Sequence, residues 1–533
     1  RPPPRVHHSE NFVRQASHLE YINAIEVNRV RMGLLERTEK DLFRQVVEGV
    51  CQKVCAADPD RLPQISLECF GSFKSGFASA GSDMDLVITV NGAHSTSNHF
   101  SLLEHDLPRA LEKALLDHGY GARLLTKTRV PIMKICEKPT PELLANLRGE
   151  RANWDALPED RKYPHLYPAK EREGDSNPTE AVKAAKVGCT NGEAPAEHAT
   201  VAVQQSTNTD SAPLKDGATS VNAQPSAMAT QRNDASKTRR DESKPWVRER
   251  HAGPLDFPKT GVGIQCDVNF FNPLGLHNTH LLYCYAQCDD RVTQMVMFVK
   301  AWAQRRKINS AYSGTLSSYG YVLMVLHYLV HVTSPAVLPN LQCAWRPGPE
   351  CTPQRAAEPV DGWDVSFWRQ EGEIKRAKQL GQLTTNTQSL GTLLAGFFQY
   401  YSSMGLGPQF VWTQNVLSLR TPGGLLPKEQ KGWTKAVVEE GIDKRIHHRY
   451  LFCIEDPFEL SHNIARTVTH HGIVAIRDEF RRARRILLAV AKSSNHGPAP
   501  GVELFAAVTT AEEAQHQRSA ARPTSFPITR PDA

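Results

Sequence analysis

The sequence lacks the features that define several protein classes. Its 533 residues contain no run of eighteen apolar residues, which is about the length that a membrane helix needs. They contain no C-x-x-C pair, no internal repeat, no zinc knuckle and no aromatic motif of the RNP1 kind. The net charge is only +6, which is compatible with a polyanionic partner without requiring one. We therefore expect no membrane association and look for function in a particular site.

The cysteines and the start of the sequence bear on location. The eleven cysteines are an odd number, and Cys51 and Cys55, like Cys284 and Cys288, are four residues apart, the spacing of one helix face. We expect reduced core thiols in an intracellular, cytoplasmic protein. The first five residues include neither Met nor an apolar segment, so we expect a chain shortened at its N-terminus and without a secretory signal.

Three aspartates at two distant places carry the strongest signal. Asp83 and Asp85 follow a Gly-Ser turn at 71–72 and head an apolar run. Residues two apart on a strand face the same side, so both carboxylates can point at one metal pair. Asp267 lies on the polar face of the alternating run 264–270, which predicts a strand. Two divalent ions about 3.5–4 Å apart can clamp the oxygens of an in-line displacement. The pattern indicates nucleotidyl transfer.

Short apolar runs and longer periodic runs divide the chain. Strands are predicted at 65–70, 86–90, 130–136 and around Asp267, and helices at 18–57, 102–118, 291–307, 321–332, 388–403 and 476–492. Between them, residues 171–250 are rich in Ala, Ser, Thr, Asn and Lys, which predicts a disordered insertion that can be deleted without loss of folding or activity. A second excursion covers about 340–385.

These segments predict a small mixed α/β domain attached to a larger helical one. The predicted division is a mobile N-terminus (1–17), a helix of the central domain (18–38), the first part of the catalytic domain (39–137), a largely disordered insertion (138–259), the last catalytic strand (260–272), a helical central domain with a recognition loop near 454–463 (273–496), and a mobile tail (497–533).

Three longer motifs carry a resemblance to a known family. They are His-Asn-Thr at 277–279, Gly-Thr-Leu-Ser-Ser-Tyr-Gly-Tyr at 314–321 and Ile-Glu-Asp-Pro-Phe-Glu-Leu-Ser-His-Asn at 454–463. With the Gly-Ser turn and Asp-x-Asp, they make the chain resemble the polymerase-β-type nucleotidyltransferases. Within that superfamily it is similar to the non-canonical poly(A) polymerases and terminal uridylyltransferases of the fungal caffeine-induced-death type, including RNA-tagging members that add C and U. The resemblance covers about 20–137, 260–340 and 388–492.

The resemblance implies an α+β fold. A polymerase-β-like nucleotidyltransferase catalytic domain, with a mixed sheet and helices, would be joined to a helical poly(A)-polymerase-associated central domain, giving a bilobal protein with its active site in the cleft. Asp83, Asp85 and Asp267 would bind two Mg²⁺ or Mn²⁺ ions, and Asp267 would receive the proton of the RNA 3′-hydroxyl.

The resemblance also implies a set of nucleotide-binding residues. They are Gly71, Ser72, Asn278, Thr279, Lys300, Ser318, Tyr319, Asp456, Glu459 and His462. Ser72, Lys300 and Ser318 would contact the triphosphate. Asn278 and Thr279 would read the ribose 2′-hydroxyl and the base edge, and Tyr319 would stack on the base. From the residues alone, Asn278 is also compatible with a helix cap, Lys300 with a solvated helix face and Tyr319 with a core position.

The loop at 454–463 bears on the choice of base. The resemblance implies that Asp456, Glu459 and His462 face the Watson–Crick edge of a pyrimidine, with His462 in the space that a purine needs. An ionised carboxylate only accepts hydrogen bonds, so direct contact favours the cytosine amine, whereas a bridging water serves uracil. The order of UTP against CTP stays open, and we expect both to be used.

Two other groups of residues are harder to interpret. The family often has a second Lys one turn after Lys300. Here Gln304 takes that place, so either Arg305 reaches in or triphosphate binding is weaker. The candidate RNA contacts are Lys127, Arg129, Lys134, Arg481 and Arg484, although a charge run is usually a solvated helix face.

We therefore expect template-independent addition of UMP or CMP to single-stranded RNA 3′ ends, in mRNA decay, by a monomer. One alternative is a poly(A) polymerase that uses ATP, which His462 disfavours. The other is a catalytically silent RNA-binding scaffold, which the three intact carboxylates and Ser72 disfavour.

Overall fold

A computed structural model describes most of the chain outside the long insertion. The described residues are 6–60, 62–90, 97–126, 128, 130–163, 246–250, 252–270, 272–343, 359–405, 407–440, 445–492 and 501–509. Most of the predicted disordered segment therefore lies outside them.

A five-stranded mixed sheet organises the first lobe. Its strands are β1 (Ile65–Phe70), β2 (Met84–Val90), β3 (Gly121–Leu125), β4 (Ile132–Cys136) and β5 (Gln265–Asn269), in the order β1-β2-β5-β4-β3. β5 runs parallel to β2 and antiparallel to β4, so it joins two antiparallel hairpins. Alternate side chains such as Ile65 and Leu67 are buried, which gives the sheet one apolar face.

Helices cover that apolar face. They are α2 (Leu34–Ala57), α3 (Gly71–Ser75), α4 (Ser97–Asp117), α5 (Pro141–Asp155) and α6 (Glu159–Lys162). Phe43, Val47 and Cys51 of α2 pack with the strand residues in one apolar core. Thr140 caps α5 by accepting the Leu143 N–H at 3.2 Å, and Pro141 fills the first helical position.

The second lobe is mainly helical and has its own core. It contains α1 (Val6–Val30), α7 (Pro273–Cys288), α8 (Asp290–Arg305), α9 (Ser318–His327), a π-helical turn (Tyr328–Val332), α10 (Glu371–Gln379), α11 (Leu390–Ser402), α12 (Lys428–Lys431), α13 (His470–Lys492) and α14 (Gly501–Leu504), with short strands β6 (Asn415–Leu417), β7 (Leu425–Pro427), β8 (Val437–Glu440) and β9 (Arg445–His448). Trp302, Phe398 and Phe480 meet at the centre, with ring centroids 5.0–6.1 Å apart. In the part of the chain that the structure describes, no helix is long and apolar enough to cross a bilayer.

The predicted domain limits need three corrections. The segment 1–17 is not a mobile N-terminus throughout, because α1 begins at Val6 and Ala16 is buried. The helix predicted over 18–57 breaks at 31–33, so α1 belongs to the helical core and α2 to the catalytic core. The excursion at 340–385 contains α10.

Both ends of the predicted insertion are ordered. Its start, from 138, forms α5 and α6, with Leu143 and Leu147 buried. Its end docks on the helical lobe. The Trp246 indole donates to the Ser313 carbonyl at 3.0 Å, and Arg248 is fully buried and pairs with Glu479 at 2.8 Å.

Glu479 also holds Arg306, whose Nε donates to it at 2.8 Å and whose Nη1 donates to the Ala506 carbonyl at 2.6 Å. Leu504 and Phe505 are buried in the helical core, so the predicted mobile tail is packed over at least this stretch. These contacts use residues too few and too scattered to produce a periodic pattern in the sequence.

The cysteines match the prediction of core thiols. All nine cysteines in the described ranges are free, and Cys51, Cys55, Cys284 and Cys288 are buried. The Cys288 thiol donates to the Cys284 carbonyl at 3.3 Å, as expected for neighbours on one helix face.

Candidate active site

A polar row crosses the middle of the five-stranded sheet. Asp85 on β2 is in register with Asp267 on β5, and Asp267 is in register with Lys134 on β4. Residues in register share a face, so the three side chains lie side by side. The Lys134 ammonium lies 2.9 and 3.0 Å from the two Asp267 oxygens and 3.7 Å from an Asp83 oxygen. The prediction that the distant aspartates meet is thus borne out by the strand pairing.

The charged groups of this row shift one another's pKa values. Burial and the charges of Asp267 and Asp83 together raise the pKa of Asp85 to about 7, although Lys300 and the Ser72 N–H lower it. Burial also raises the pKa of Asp267, with Lys134 opposing. Burial alone lowers the pKa of Lys134, but Asp267 and its neighbours outweigh it, so that pKa is raised. A buried row of carboxylates is therefore suited to a strong positive charge.

The donor set fits divalent metal ions. Asp83, Asp85 and Asp267 supply only carboxylate oxygens, the ligands that Mg²⁺ and Mn²⁺ prefer. Gly71 has φ +62°, and a Cβ there would stand 2.3 Å from an Asp85 oxygen, so the backbone leaves room only for that carboxylate. Among the described residues, no three or more Asp, Glu, His or Cys side chains are placed so that they could hold a metal ion without moving. Lys134 lies between two of the carboxylates instead.

A cavity of about 480 Å³ lies between Asp85 and the loop around Asp456. Its size suits a nucleotide-sized ligand. All ten predicted nucleotide-binding residues line it: Gly71, Ser72, Asn278, Thr279, Lys300, Ser318, Tyr319, Asp456, Glu459 and His462. The structure therefore brings the whole predicted set together.

Hydrogen bonds to β2 and to α7 hold the Gly-Ser turn in place. The Ser72 N–H donates to Asp85, and the Gly71 N–H donates to the Thr279 hydroxyl at 2.8 Å. Thr279 in turn donates to the Gly275 carbonyl at 2.7 Å. Its hydroxyl is thus already used twice, so its observed contacts hold α7 against the turn rather than leave it to read a base edge.

Lys300 is not on a solvated helix face. Its side chain is buried, and Nζ donates to the Phe77 carbonyl at 2.5 Å while lining the cavity. Burial lowers the pKa of Lys300 to about 8, and Asp85 opposes the shift. Gln304 also lines the cavity, whereas Arg305 is exposed and Arg306 is held by Glu479. The prediction that Arg305 reaches in gains no support.

The two serines at the start of α9 have different roles. Ser317, not Ser318, caps the helix by accepting the Gly320 N–H at 3.3 Å. The Ser318 hydroxyl instead exchanges hydrogen bonds with Asn309 at 3.0 and 3.3 Å and faces the cavity. A Ser-Ser pair hides this choice in the sequence because either residue is a good cap.

Asp456 is the centre of a buried network at the far end of the cavity. It accepts the N–H groups of Phe458 and Glu459 at 2.9 and 3.0 Å, the Tyr319 hydroxyl at 3.2 Å and the Asn278 amide at 3.2 Å. Burial raises the pKa of Asp456, and these donors oppose the rise. Four donors fill the acceptor capacity of one carboxylate, so Asp456 orders the site more than it offers a free edge.

Two further groups complete this end of the cavity. The Asn278 Oδ1 atom is buried without a hydrogen-bond partner in the described residues, so it is an acceptor ready for a ligand hydroxyl. The His462 N–H donates to the Glu459 carbonyl at 2.8 Å, which closes the loop and brings both side chains to the cavity wall.

The structure gives less support to the predicted RNA contacts. Arg484 is buried and donates to Gln15 at 3.1 Å, and Arg481 pairs with Asp478 at 3.4 Å. The structure therefore gives no support to Arg484 as an RNA contact, because α13 turns this residue towards α1. Lys134 belongs to the carboxylate row. Lys127 and Arg129 lie outside the described residues.

Sequence reasoning missed Asn272, and it gave Lys134 only as a candidate RNA contact. Asn272 lines the cavity and caps α7 by accepting the Gly275 N–H at 3.0 Å. An Asn-Pro pair just after a predicted strand is a helix-start signature and would have found it. The role of Lys134 depends on strand register, which one sequence does not specify.

Two family models match separate parts of the chain. The model of Cid1 family poly A polymerase matches residues 389–462, and that of the central palm domain of mitochondrial-like poly(A) RNA polymerase matches residues 29–145. The second match covers α2 to the start of α5 and includes Asp83 and Asp85.

Known proteins resemble the chain over longer stretches. Terminal uridylyltransferase cid1 of Schizosaccharomyces pombe is 44% identical over 246 residues, 46% of this chain and 55% of the relative. Human terminal uridylyltransferase 4 is 34% identical over 44% of this chain and 12% of its own length. Poly(A) RNA polymerase cid13 of S. pombe is 33% identical over 42% and 34%. The chain thus spans about half the length of the first of these relatives and less of the others.

Solved structures of Cid1 match the fold. One, which concerns its RNA terminal uridylyl transferase activity, aligns with a TM-score of 0.57 and 27% identity over 92% of this chain and 98% of Cid1. Cid1 in complex with the UTP analog UMPNPP aligns over 92% and 99%, with a TM-score of 0.55 and 27% identity. With the aspartate row, the cavity and both lobes in place, the chain is similar in sequence and in fold to terminal uridylyltransferase Cid1, and part of it matches the model of the Cid1 family of poly(A) polymerases.

Proposed function

We propose that the protein adds pyrimidine nucleotides, without a template, to the 3′ ends of single-stranded RNA. The observation that carries the proposal is the row of Asp85 and Asp267, in which Asp85 lines a cavity of about 480 Å³ that also reaches the Asp456 network. One end is suited to phosphoryl chemistry and the other to reading a nucleoside. The resemblance to terminal uridylyltransferases supports the same reaction.

The carboxylates supply the chemistry at the first end. Asp83, Asp85 and Asp267 would hold two Mg²⁺ or Mn²⁺ ions, which stabilise the charge that develops on the attacking and leaving oxygens. Asp267 lies at the centre of the row and would accept the proton of the RNA 3′-hydroxyl. Lys300 and Ser72 line the cavity and would contact the triphosphate, with the Lys300 ammonium neutralising part of its charge.

The opposite end would select the nucleotide. Asn278 donates to Asp456 and keeps its Oδ1 for the ribose 2′-hydroxyl. A buried acceptor left unpaired costs about 1–3 kcal/mol, so a deoxynucleotide would be disfavoured. Tyr319 is fixed through its hydroxyl to Asp456 and presents its ring to the cavity for stacking. His462 would occupy the room of a purine.

The network around Asp456 bears on UTP against CTP. Because four protein donors already use Asp456, direct acceptance of the cytosine amine is less favoured than the sequence alone suggests. We propose that both pyrimidines are used, with rates within roughly two orders of magnitude, because one hydrogen bond changes selectivity by about 1–3 kcal/mol. Values of kcat/KM for UTP and CTP on one RNA measure this ratio, and a difference far beyond a thousandfold would contradict it.

The second candidate is a poly(A) polymerase that uses ATP. The relatives include poly(A) RNA polymerases, which supports it, whereas His462 at the cavity wall supports pyrimidines. Incubating a short RNA with Mg²⁺ and each single NTP separates the candidates. We expect extension with UTP or CTP above ATP, and extension with ATP alone would favour the second candidate.

Asp83→Asn is the inactive control for this assay, and Asp117→Asn, which alters an exposed carboxylate paired with Lys113, is the matched active control. Failure of every NTP to extend RNA would favour a catalytically silent scaffold.

The cellular setting is also proposed. A solved structure similar to this chain is described as that of a cytoplasmic RNA terminal U-transferase, which supports a cytoplasmic location. We further propose, from the family resemblance of the sequence, a monomer that tags mRNA for decay. Cell fractionation, gel filtration and sequencing of mRNA 3′ ends after loss of the protein test these three statements. Nuclear enrichment, a stable oligomer or unchanged mRNA tails would each contradict one of them.

A further inference from the structure

Lys134 lies where a cation is needed in the carboxylate row. It stands opposite Asp267 in the β4–β5 register, and its ammonium is 2.9 and 3.0 Å from both Asp267 oxygens and 3.7 Å from Asp83. The hydrogen bonds and ion pairs of its Nζ in the described structure all go to these two residues. Two of the three carboxylates that would bind metal are therefore already bound to a positive charge.

The charges around the row show why this lysine differs from its neighbours. Three carboxylates are balanced by Lys134 on one side and by Lys300 on the other. Lys300 is committed to the Phe77 carbonyl and influences Asp85. Arg123, next to Lys134 in the register, is committed to Glu150 and Asp256, at 3.2 Å from each. Lys134 is thus the cation of the row that contacts Asp267 and Asp83 directly.

We propose that Lys134 is a built-in, displaceable cation, which holds Asp267 and Asp83 together without metal and withdraws when a divalent ion binds. It is a positioning residue, and the proposal rests on the metal site of the proposed function. An ammonium on a flexible four-carbon stem can leave the site, whereas a guanidinium paired with two acids, like Arg123, is held more rigidly. Metal binding then includes breaking the Lys134–Asp267 pair.

The direct test is Mn²⁺ binding, followed by the electron paramagnetic resonance of free Mn²⁺ in the absence of nucleotide and RNA. Lys134→Met keeps the length of the stem and removes the charge. Lys138→Met is the matched control, because Lys138 is exposed, lies four residues on and pairs with Glu137. We expect Lys134→Met to bind Mn²⁺ roughly tenfold more tightly than wild type, since the competing cation is gone, and Lys138→Met to bind it unchanged.

Thermal unfolding gives a second readout that does not depend on activity. In EDTA, Lys134→Met should have a lower Tm than wild type because two carboxylates lose their counter-charge. Added Mn²⁺ should raise the Tm of the variant more than that of wild type. Lys134→Gln, which is shorter and polar, serves in the same two measurements if the methionine variant does not fold.

The outcomes of these measurements distinguish the inference about Lys134 from the proposed metal site. Wild-type Mn²⁺ affinity in the Lys134 variants, together with weakened binding of a single-stranded RNA, would overturn the inference and make Lys134 an RNA contact. Absence of Mn²⁺ binding by the wild-type protein would instead refute the proposed metal site itself. Tighter Mn²⁺ binding with no effect of Lys138→Met would support both.

Discussion

Asp85 and Asp267 face each other from parallel strands that are far apart in the chain. Each is partly buried, and each has a raised pKa because desolvation and a neighbouring carboxylate disfavour its charge. Such a pair is unfavourable unless a cation compensates it. The site therefore contains unfavourable charge that a metal ion and its substrate relieve.

Removal of one carboxylate should abolish transfer without unfolding the protein. For Asp83→Ala and Asp267→Ala we expect kcat to fall by roughly three orders of magnitude or more, because metal-charge stabilisation supplies several kcal/mol. Gel assays of RNA extension measure the loss, and circular dichroism checks the fold. Extension by either variant near the wild-type rate would show that the two-metal assignment is wrong.

Replacement of His462 should change the choice of nucleotide. A smaller side chain in His462→Ala or His462→Asn opens the cavity wall to a purine ring, so we expect ATP use to rise by roughly tenfold or more relative to UTP and CTP. The measurement is kcat/KM for each NTP on one RNA. Asn463 would be a poor control because it holds the loop through several backbone contacts, whereas exposed Ser461 is suitable as Ser461→Ala. An unchanged ranking in the His462 variants would contradict this role.

Residues of the site differ in how far one sequence predicts them. The aspartates could be found because Asp-x-Asp and an alternating strand are local patterns. The contacts of Thr279 with Gly71 and of Lys134 with Asp267 could not be predicted, because they form only through tertiary packing and strand register. A sequence motif shows which residues are chemically suited to a site, but it does not show which contacts their polar groups make in the folded protein.

At the scale of elements, the last residue of α9, just before the π-helical turn, is an unusual buried imidazole. His327 is fully buried and contacts the Tyr400 hydroxyl at 3.2 Å, with His331 and Tyr400 rings beside it. Burial, with the charge of His331, lowers the pKa of His327 to about 3. The imidazole is therefore neutral in the folded protein at any pH near neutrality.

Acid should destabilise the protein through His327. The unfolded chain binds a proton near pH 6.5 and the folded chain does not until about pH 3, so stability from this group is present above pH 6.5 and is lost as the pH falls. We expect about 2 kcal/mol of the free energy of unfolding to be lost between pH 7 and pH 5. In His327→Gln, which keeps an acceptor for Tyr400, that loss should shrink, as urea unfolding at both pH values would show.

His118→Gln is the control, because His118 is exposed on the end of α4. An equal pH dependence in wild type and His327→Gln would show that the buried imidazole does not control acid stability.

Sequence periodicity identifies the long helices but not the short elements. Helix α8 was predicted because Val292, Met295, Val296, Val299 and Trp302 recur every three or four residues in the sequence, and burial recurs with the same spacing along α13. β3 was missed, because its five residues include Arg123 and follow a Gly-rich turn, and α14 because it has a single turn. Such short elements owe their structure to the surfaces on which they pack.

For the whole molecule, the insertion and the tail meet at one buried ion cluster. Arg248 from the end of the insertion and Arg306 from α8 share Glu479 of α13, and Arg306 also holds the Ala506 carbonyl. The segment predicted to be dispensable therefore includes residues that complete the helical core.

Two deletions should differ sharply. Residues 171–244 can be replaced by a short Gly-Ser linker. The free energy of unfolding should then stay within about 1 kcal/mol of wild type, because the composition of this segment offers little apolar surface for burial. Removal of 171–250 takes Trp246 and Arg248 as well and should cost about 3 kcal/mol or more, as expected for breaking a buried ion pair.

Urea unfolding and RNA extension of both deletion proteins make the comparison. Equal stability of the two would show that the docked residues contribute nothing, and unfolding of the shorter deletion would show that the removed segment is structural.

The position of β5 in the sheet has a consequence for synthesis on the ribosome. β5 joins the hairpins β1–β2 and β3–β4, yet it emerges roughly 180 residues after β2, which is about 10–40 s at ordinary rates of translation. During that interval both hairpins carry an unpaired edge, and such edges are prone to pair with other chains. A nascent chain is therefore inactive and vulnerable for much of its synthesis, and chaperones that bind exposed strands have their longest opportunity while the insertion is being translated.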